Sequence, residues 1–225
     1  MICQSELVYS ETQKVLKCEY CGEEKPTQTV CQNGHFVCNE CHVMPAMEFI
    51  EKTLLSSSET DLIELFMKIR SHPEIPLHGP EFHSIIPGVV TTVYRNSGGD
   101  ISDNRIKTSI LRGQEVKGGS CGFHGACGAA LGAANAVGAI ILSNPLKPAE
   151  RRITMQVSSV LLGALSEIEA PRCCQRDCYI VLKTLSGISK DILGKHLKAE
   201  KELICTQYQL NKECILSRCP LFKKV

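Results

Sequence analysis

Cysteine is the residue type that could do chemistry in this chain, and its fourteen copies fall into groups. The first group lies in CEYCGEEKPTQTVCQNGHFVCNECH, which runs from Cys18 to His42. Two C-x2-C pairs, Cys18/Cys21 and Cys38/Cys41, are separated by sixteen residues, and Gly22 follows the first pair as a turn residue. Four thiolates at that spacing make a closed tetrahedral Zn2+ site of the structural type. The same ligands could form a rubredoxin-type iron site. A module this small needs its metal in order to fold. Cys31 and His35 lie inside the loop and His42 follows the last cysteine. Cys31 and His35 are packing residues, spare ligands or half of a second site, and spacing alone leaves these open.

The later cysteines are spread more widely. Cys121 and Cys127 flank His124 in the glycine-rich GGSCGFHGACG. Cys173 and Cys174 are adjacent, with Cys178 four residues on and Arg172 and Arg176 beside them. Arginines next to thiols favour the thiolate and suit an anionic cluster. Cys205, Cys214 and Cys219 close the set, and the Cys219-Pro220 step resembles the end of a ferredoxin cluster loop. Three or four of Cys121, Cys127, Cys173, Cys174, Cys214 and Cys219 are the expected holders of an iron–sulfur cluster. If only three bind, one iron stays open as a Lewis acid. His124 and His83 are then the acid–base candidates. The competing expectation for these thiols is inert core packing, since free cysteine is often a small buried hydrophobe. A dithiol oxidoreductase using Cys173/Cys174 or Cys121/Cys127 is a further option.

The elements that must position these residues read as helices. No charged side chain occurs between Lys117 and Lys147, and small residues recur at Gly125, Ala129 and Ala133 and at Gly128 and Gly132. That spacing predicts a close-packed central helix that starts near Cys121 and stops at Asn144-Pro145. Its length would also suit a membrane span. Weakly apolar Gly and Ala, Asn135 in mid-run and the lack of an aromatic belt argue against one. PAMEFIEKTLLSS and SETDLIELFMKIRSH read as amphipathic helices, the first opening on Pro45 and the second with Ser58 as N-cap. EFHSIIPGVVTTVY is either a helix disturbed at Pro87-Gly88 or a strand, and the helix is preferred because no partner strand is evident. DISDNRIKTSILRGQEV and AERRITMQVSSVLLGALSEI read as further helices. The expected architecture is a mainly α, multi-helical bundle around the Gly/Ala-rich helix, with a small treble-clef or ribbon-like zinc knuckle in front. The expected divisions are a loosely packed arm at 1–17 in which Cys3 is incidental, the knuckle at 18–43, a helical connector at 44–75 and a cysteine-rich helical domain at 76–225.

Composition narrows the function classes. A net charge of +1 favours no polyanion, and the absence of Trp with only 5% aromatic residues argues against base-stacking platforms. Met1 is followed by a polar stretch without a basic and apolar leader. The expectation is a cytoplasmic protein, where cysteines serve metals or redox chemistry before disulfides.

The motifs NGHFVCNECH, GGSCGFHGACGAALG, PRCCQRD and NKEC-x4-CP, spanning Cys18 to Pro220, resemble a functionally uncharacterised cysteine-rich domain family of bacteria and archaea. Some members of that family are attached to an S-adenosylmethionine-dependent methyltransferase domain, so the resemblance implies a methyltransferase or another protein as a partner. The Ala/Gly-rich run with its cysteines is also similar in composition to iron–sulfur desulfidases and serine dehydratases. Two functions follow as expectations. One is an iron–sulfur protein of sulfur or redox chemistry, such as a desulfidase. The other is a non-catalytic zinc module that docks a partner, with nucleic acid the less favoured one. Self-association is compatible with both.

Overall fold

The structure is a computed structural model that describes residues 3, 5, 7–38, 41 and 46–223. His42 and Pro45, singled out in the sequence, lie outside the described residues.

The front of the chain is a two-stranded antiparallel hairpin, β1 (Leu7–Lys17) and β2 (Glu24–Cys31). Most of the stretch expected as an arm at 1–17 is thus a paired strand. The strand escapes sequence reading because its solvent-facing polar residues carry no apolar alternation: Glu11, Thr12, Gln13 and Lys14 are all exposed. Pairing runs Lys17↔Glu24 to Lys14↔Thr27, breaks at a wide bulge, and resumes at Tyr9↔Thr29 to Leu7↔Cys31. The turn between the strands carries Cys18 and Cys21. Gly22 closes it at φ +74, donating its N–H to the Cys18 carbonyl at 2.9 Å. Only a glycine adopts that backbone without strain.

Eight α-helices follow among the described residues: α1 (Ala46–Ser56), α2 (Leu62–Arg70), α3 (Glu81–Asn96), α4 (Asp103–Gln114), α5 (Ser120–Phe123), α6 (Gly128–Ile140), α7 (Pro148–Ser166) and α8 (Cys174–Leu193). The N-cap of α2 is Asp61, not Ser58. One Asp61 carboxylate oxygen accepts from the Ile63 and Glu64 N–H groups at 2.8 and 3.0 Å. The other accepts from the Glu200 N–H at 2.6 Å, so one side chain caps a helix and pins the C-terminal tail.

The inner pair is α3 and α6. Eleven of the thirteen α6 residues are buried, and no helix among the described residues is long and apolar enough to cross a membrane. The Gly/Ala face is therefore a packing device. Pro87 lies inside α3, which continues as a helix through it. Proline has no N–H to give, so the His83 carbonyl one turn earlier is left without its helical donor. Gly113 of α4 and Gly132 of α6 stand directly against that carbonyl, where a methyl group on either would collide. Gly88 likewise admits Leu54 and Ile110. Phe49, Leu54, Leu62, Phe66, Phe82, Ile85, Val89, Ile106 and Leu182 fill the core around the pair. Each fully buried apolar side chain contributes about 1.5–3 kcal/mol of transfer free energy.

The central helix is shorter than its sequence suggests. Gly119 (φ +84) and Gly125 (φ +61) bracket the four-residue α5, and the chain turns through His124 to Cys127 before α6 begins. Cys121 therefore belongs to a separate short turn. At the other end α6 closes at Ile140, before Asn144-Pro145. Ser143 donates its N–H to the Gly138 carbonyl at 2.8 Å and Leu142 takes φ +58. This is a Schellman closure with a leucine where glycine is usual.

Candidate functional site

Three groups of cysteines emerge from this architecture. In the knuckle, the ligand atoms of Cys18, Cys21, Cys38 and Cys41 all lie within 4.8 Å of one another, and Cys21 and Cys38 Sγ are 3.9 Å apart. A tetrahedral zinc with 2.3 Å bonds to sulfur separates its ligands by about 3.8 Å. The Cys38 N–H donates to Cys18 Sγ at 3.4 Å, the backbone support that a metal thiolate uses. Burial opposes ionisation of Cys18, but the N–H groups of Cys38, Cys21 and Tyr20 outweigh it and hold the thiol down to about 7. Burial drives Cys41 the other way, reinforced by hydrogen bonds with Cys38 and Cys21. Packed thiols that resist a shared negative charge fit a cation between them. These residues could hold a metal ion.

The knuckle is seated on the helices. Phe49 of α1 stacks on His72 with ring centroids 3.8 Å apart, and Tyr20 meets both rings at 4.8 Å. The His72 ring also bonds the Cys41 carbonyl through Nε2. Cys18, Tyr20, Cys38 and Cys41 thus join the same continuous core as α1 to α4 and α6 to α8.

The second group is buried in the helical body. Cys173 is the N-cap of α8 and Cys174 its first residue, and Cys178 lies one turn on with 0% exposure. Cys127 precedes α6. These four thiols are within electrostatic reach of each other and of Asp177. Burial pushes Cys127 and Cys174 up to about 11 and raises Cys173 and Cys178 as well. Burial also raises Asp177, against the pull of Arg176, whose guanidinium bonds its carboxylate at 2.9 Å and the Pro171 carbonyl at 2.9 Å. Cys174 accepts from the Gly79 N–H. Arg70 is within electrostatic reach of Cys173, Cys174, Cys178 and Cys205. Burial lowers its pKa and the thiols oppose that shift.

The third group is the tail. Asp61, Ser186 and Lys183 fix 197–200, the last two through the Leu197 and Ala199 carbonyls at 2.6 and 2.7 Å. Cys205 is then held to Leu221 by a backbone bond of 2.9 Å. Cys205 senses Cys214 and Cys219, and Cys219 in turn reaches Cys173. None of the fourteen cysteines is joined in a disulfide.

Four buried polar atoms have no hydrogen-bond partner among the described residues, and three of them adjoin the second group. Arg70 Nε belongs to a guanidinium within electrostatic reach of the thiols. His78 Nδ1 belongs to a ring that also acts on Asp177, and Glu81 Oε2 folds back onto Gly79, the residue that donates to Cys174. Leaving such atoms bare costs about 1–3 kcal/mol each, so a cluster of them at one place calls for a partner.

A cavity of about 560 Å³ opens beside this group, lined by Cys121, Cys127, Phe123, Arg172, Arg176 and Asp177. Cys121 and Phe123 are exposed at its rim. His124 is exposed and is not among the residues that line it. His83 is half-buried, donates from Nδ1 to the Val116 carbonyl at 2.9 Å, and lays its ring against Gly128 next to Cys127. With Nδ1 protonated, Nε2 is the nitrogen left to accept a proton. The structure therefore gathers Cys127, Cys173 and Cys174, places Cys121 at the rim, and sets Cys214 and Cys219 in the tail. Cys178, whose one-turn spacing from Cys174 was its sequence signal, joins the inner group.

A family of unknown function, DUF5714, matches residues 50–222. The chain belongs to this family. The match begins within α1, so the helical body with its later cysteines is the family's domain and the knuckle lies ahead of it. No curated protein matches the chain, and no solved structure does.

Proposed function

We propose that the chain is a two-part metalloprotein. The four knuckle cysteines hold a structural zinc ion, and the buried thiols of the helical domain hold an iron–sulfur cluster used for sulfur or redox chemistry. The observation that carries the second half is the buried Arg70 Nε–H, which has no partner among the described residues and belongs to a guanidinium within electrostatic reach of Cys173, Cys174 and Cys178. A bound anionic sulfide cluster would pair with the Arg70 guanidinium and accept from neighbouring N–H donors. Cys127, Cys174 and Cys178 are the inner ligands in this reading, with Cys173 or Cys219 as the fourth. Such a cluster supplies electron transfer or an open Lewis-acidic iron.

The chain's own residues do the rest. Thiols held near pKa 11 stay protonated at neutral pH until a metal displaces the proton, which keeps the empty site inert. Arg172 and Arg176 line the adjoining cavity and favour an anionic substrate there. His83, with Nε2 as its basic nitrogen, is positioned beside Cys127 to take or return a proton. Fourteen cysteines without a disulfide fit a reducing compartment, so the reading assigns the protein to the cytoplasm.

The second reading, a partner-docking knuckle, draws on Val8 and Val15, which stay 44% and 65% exposed on β1. Against it, the Tyr20 face of the knuckle is already occupied by Phe49 and His72. Anaerobic purification with iron, sulfide and zinc assays tests the choice. The cluster reading expects iron and acid-labile sulfide that fall sharply in Cys174→Ser and Cys178→Ser. Zinc alone, with freely titrating later thiols, would transfer support to docking.

A further inference from the structure

The hairpin poses a problem of stability. A two-stranded ribbon is marginal by itself in water. Here the bulge between Tyr9 and Lys14 cuts off three residue pairs at the open end, Leu7↔Cys31, Val8↔Val30 and Tyr9↔Thr29. Val8 and Glu11 to Val15 on this strand are exposed.

What gathers there is a set of metal-ligating atoms. Cys3 Sγ and Cys31 Sγ are 3.6 Å apart, and His35 Nδ1 is 3.3 Å from each. A tetrahedral zinc with bonds of 2.3 Å to sulfur and 2.0–2.1 Å to nitrogen sets these separations at about 3.8 and about 3.6 Å. The group is built as the knuckle is built. Gly34 turns the chain at φ +85 before His35, as Gly22 does after Cys21. The His35 N–H donates to Cys31 Sγ at 3.3 Å, as the Cys38 N–H does to Cys18. Asn33 Nδ2 supports Cys3 Sγ at 3.6 Å and Ser5 Oγ at 2.9 Å. Backbone and amide donors aimed at sulfur are the support that a metal thiolate recruits.

We propose that Cys3, Cys31 and His35 form a second zinc site that staples the open end of the β1–β2 hairpin. Zn2+ enters as two thiols lose their protons to solvent, and the fourth position is left to a ligand from outside the triad. The hairpin is then clamped by one ion at its turn and one at its open end. This site is separate from the cluster reading of the helical domain and stands or falls without it.

The test is the zinc content of the full chain prepared anaerobically, with iron counted separately. The proposal expects about two zinc ions per chain, falling to about one in Cys31→Ser and in His35→Ala. Helical circular dichroism should stay unchanged in both, because neither residue touches α1 to α8. His35→Cys should restore the zinc count and, with Co2+ in place of zinc, strengthen the sulfur-to-cobalt charge-transfer band. A wild-type chain with one zinc that Cys31→Ser leaves in place overturns the site, as does a Cys3–Cys31 disulfide found by mass spectrometry in the same preparation. A wild-type chain with about two zinc ions and no iron would sink the cluster reading and leave this one standing.

Discussion

The knuckle and the helical body gather their cysteines in opposite ways. In the knuckle, tight turns do it: Cys18 and Cys21 share one, and glycines at positive φ set the geometry. Its sulfurs already stand at the spacing of a tetrahedral ion, with Cys21 and Cys38 Sγ 3.9 Å apart. In the helical body, packing does it. Cys127, Cys174 and Cys178 meet because α6 and α8 are both buried against the same core. Their thiols are pushed up by burial, and the buried Arg70 Nε within electrostatic reach of Cys174 and Cys178 has no partner among the described residues. A site made by local turns commits to a metal of fixed size. A site made by packing leaves room for a larger group and an adjoining cavity.

Removing metal should separate the two regions most strongly. Structural zinc contributes on the order of 10 kcal/mol to small zinc modules. Cys18→Ser should therefore melt the hairpin while the α3–α6 body stays helical, read by proteolysis at 7–38 and by circular dichroism. Simultaneous collapse of both would show that the knuckle is needed to fold the body.

Packing in the body is the next test. Gly113→Ala drives a methyl group into the His83 carbonyl, backbone that cannot swing aside, and should cost about 3 kcal/mol or more. Gly163→Ala and Gly187→Ala meet nothing within 4 Å on α7 and α8 and should gain up to about 1 kcal/mol. Denaturant melts decide between them, and equal effects would break the close-contact account.

Asp61→Ala loses the α2 cap and the anchor of the tail together, at about 1–2 kcal/mol for the cap alone. Hydrogen exchange should speed up at Glu200 and Ile63 in concert. A response confined to α2 would mean that the tail, and Cys205 with it, is held some other way.

Alkylation of the metal-free chain sharpens the contrast in thiol state. Exposed Cys121 should react first and Cys178 last. Cys127 and Cys174 have folded pKa values near 11, above the unfolded value of about 8.5. The unfolded state therefore ionises first as pH rises, and stability falls between roughly pH 8.5 and 11. A metal-free chain whose stability is flat across that window would contradict the burial of these thiols. The smallest effect should come from Leu142→Gly, which relieves a left-handed leucine and should gain about 1 kcal/mol or less.

Much of this was legible because it is local. The two C-x2-C pairs with Gly22 announce the knuckle, and small residues at four-residue spacing announce α6 as a core helix. Other features depend on contacts distant in sequence. The break between α5 and α6 lies in glycines whose positive φ the sequence permits without requiring. Cys3 reads as incidental until β1 pairs Leu7 with Cys31 and carries it to His35. Cys178 gains its place only through the seating of α8 against α6. Arg70 shows no thiol neighbour in sequence, yet four of them lie within its electrostatic reach.

The most direct test of the two-part account is the visible spectrum and metal content of the full chain purified without oxygen. The account predicts zinc together with iron and acid-labile sulfide, a broad sulfide-to-iron absorption, and loss of the iron alone in Cys178→Ser. Zinc with no iron, no visible absorption and freely titrating thiols after residue 120 would contradict it.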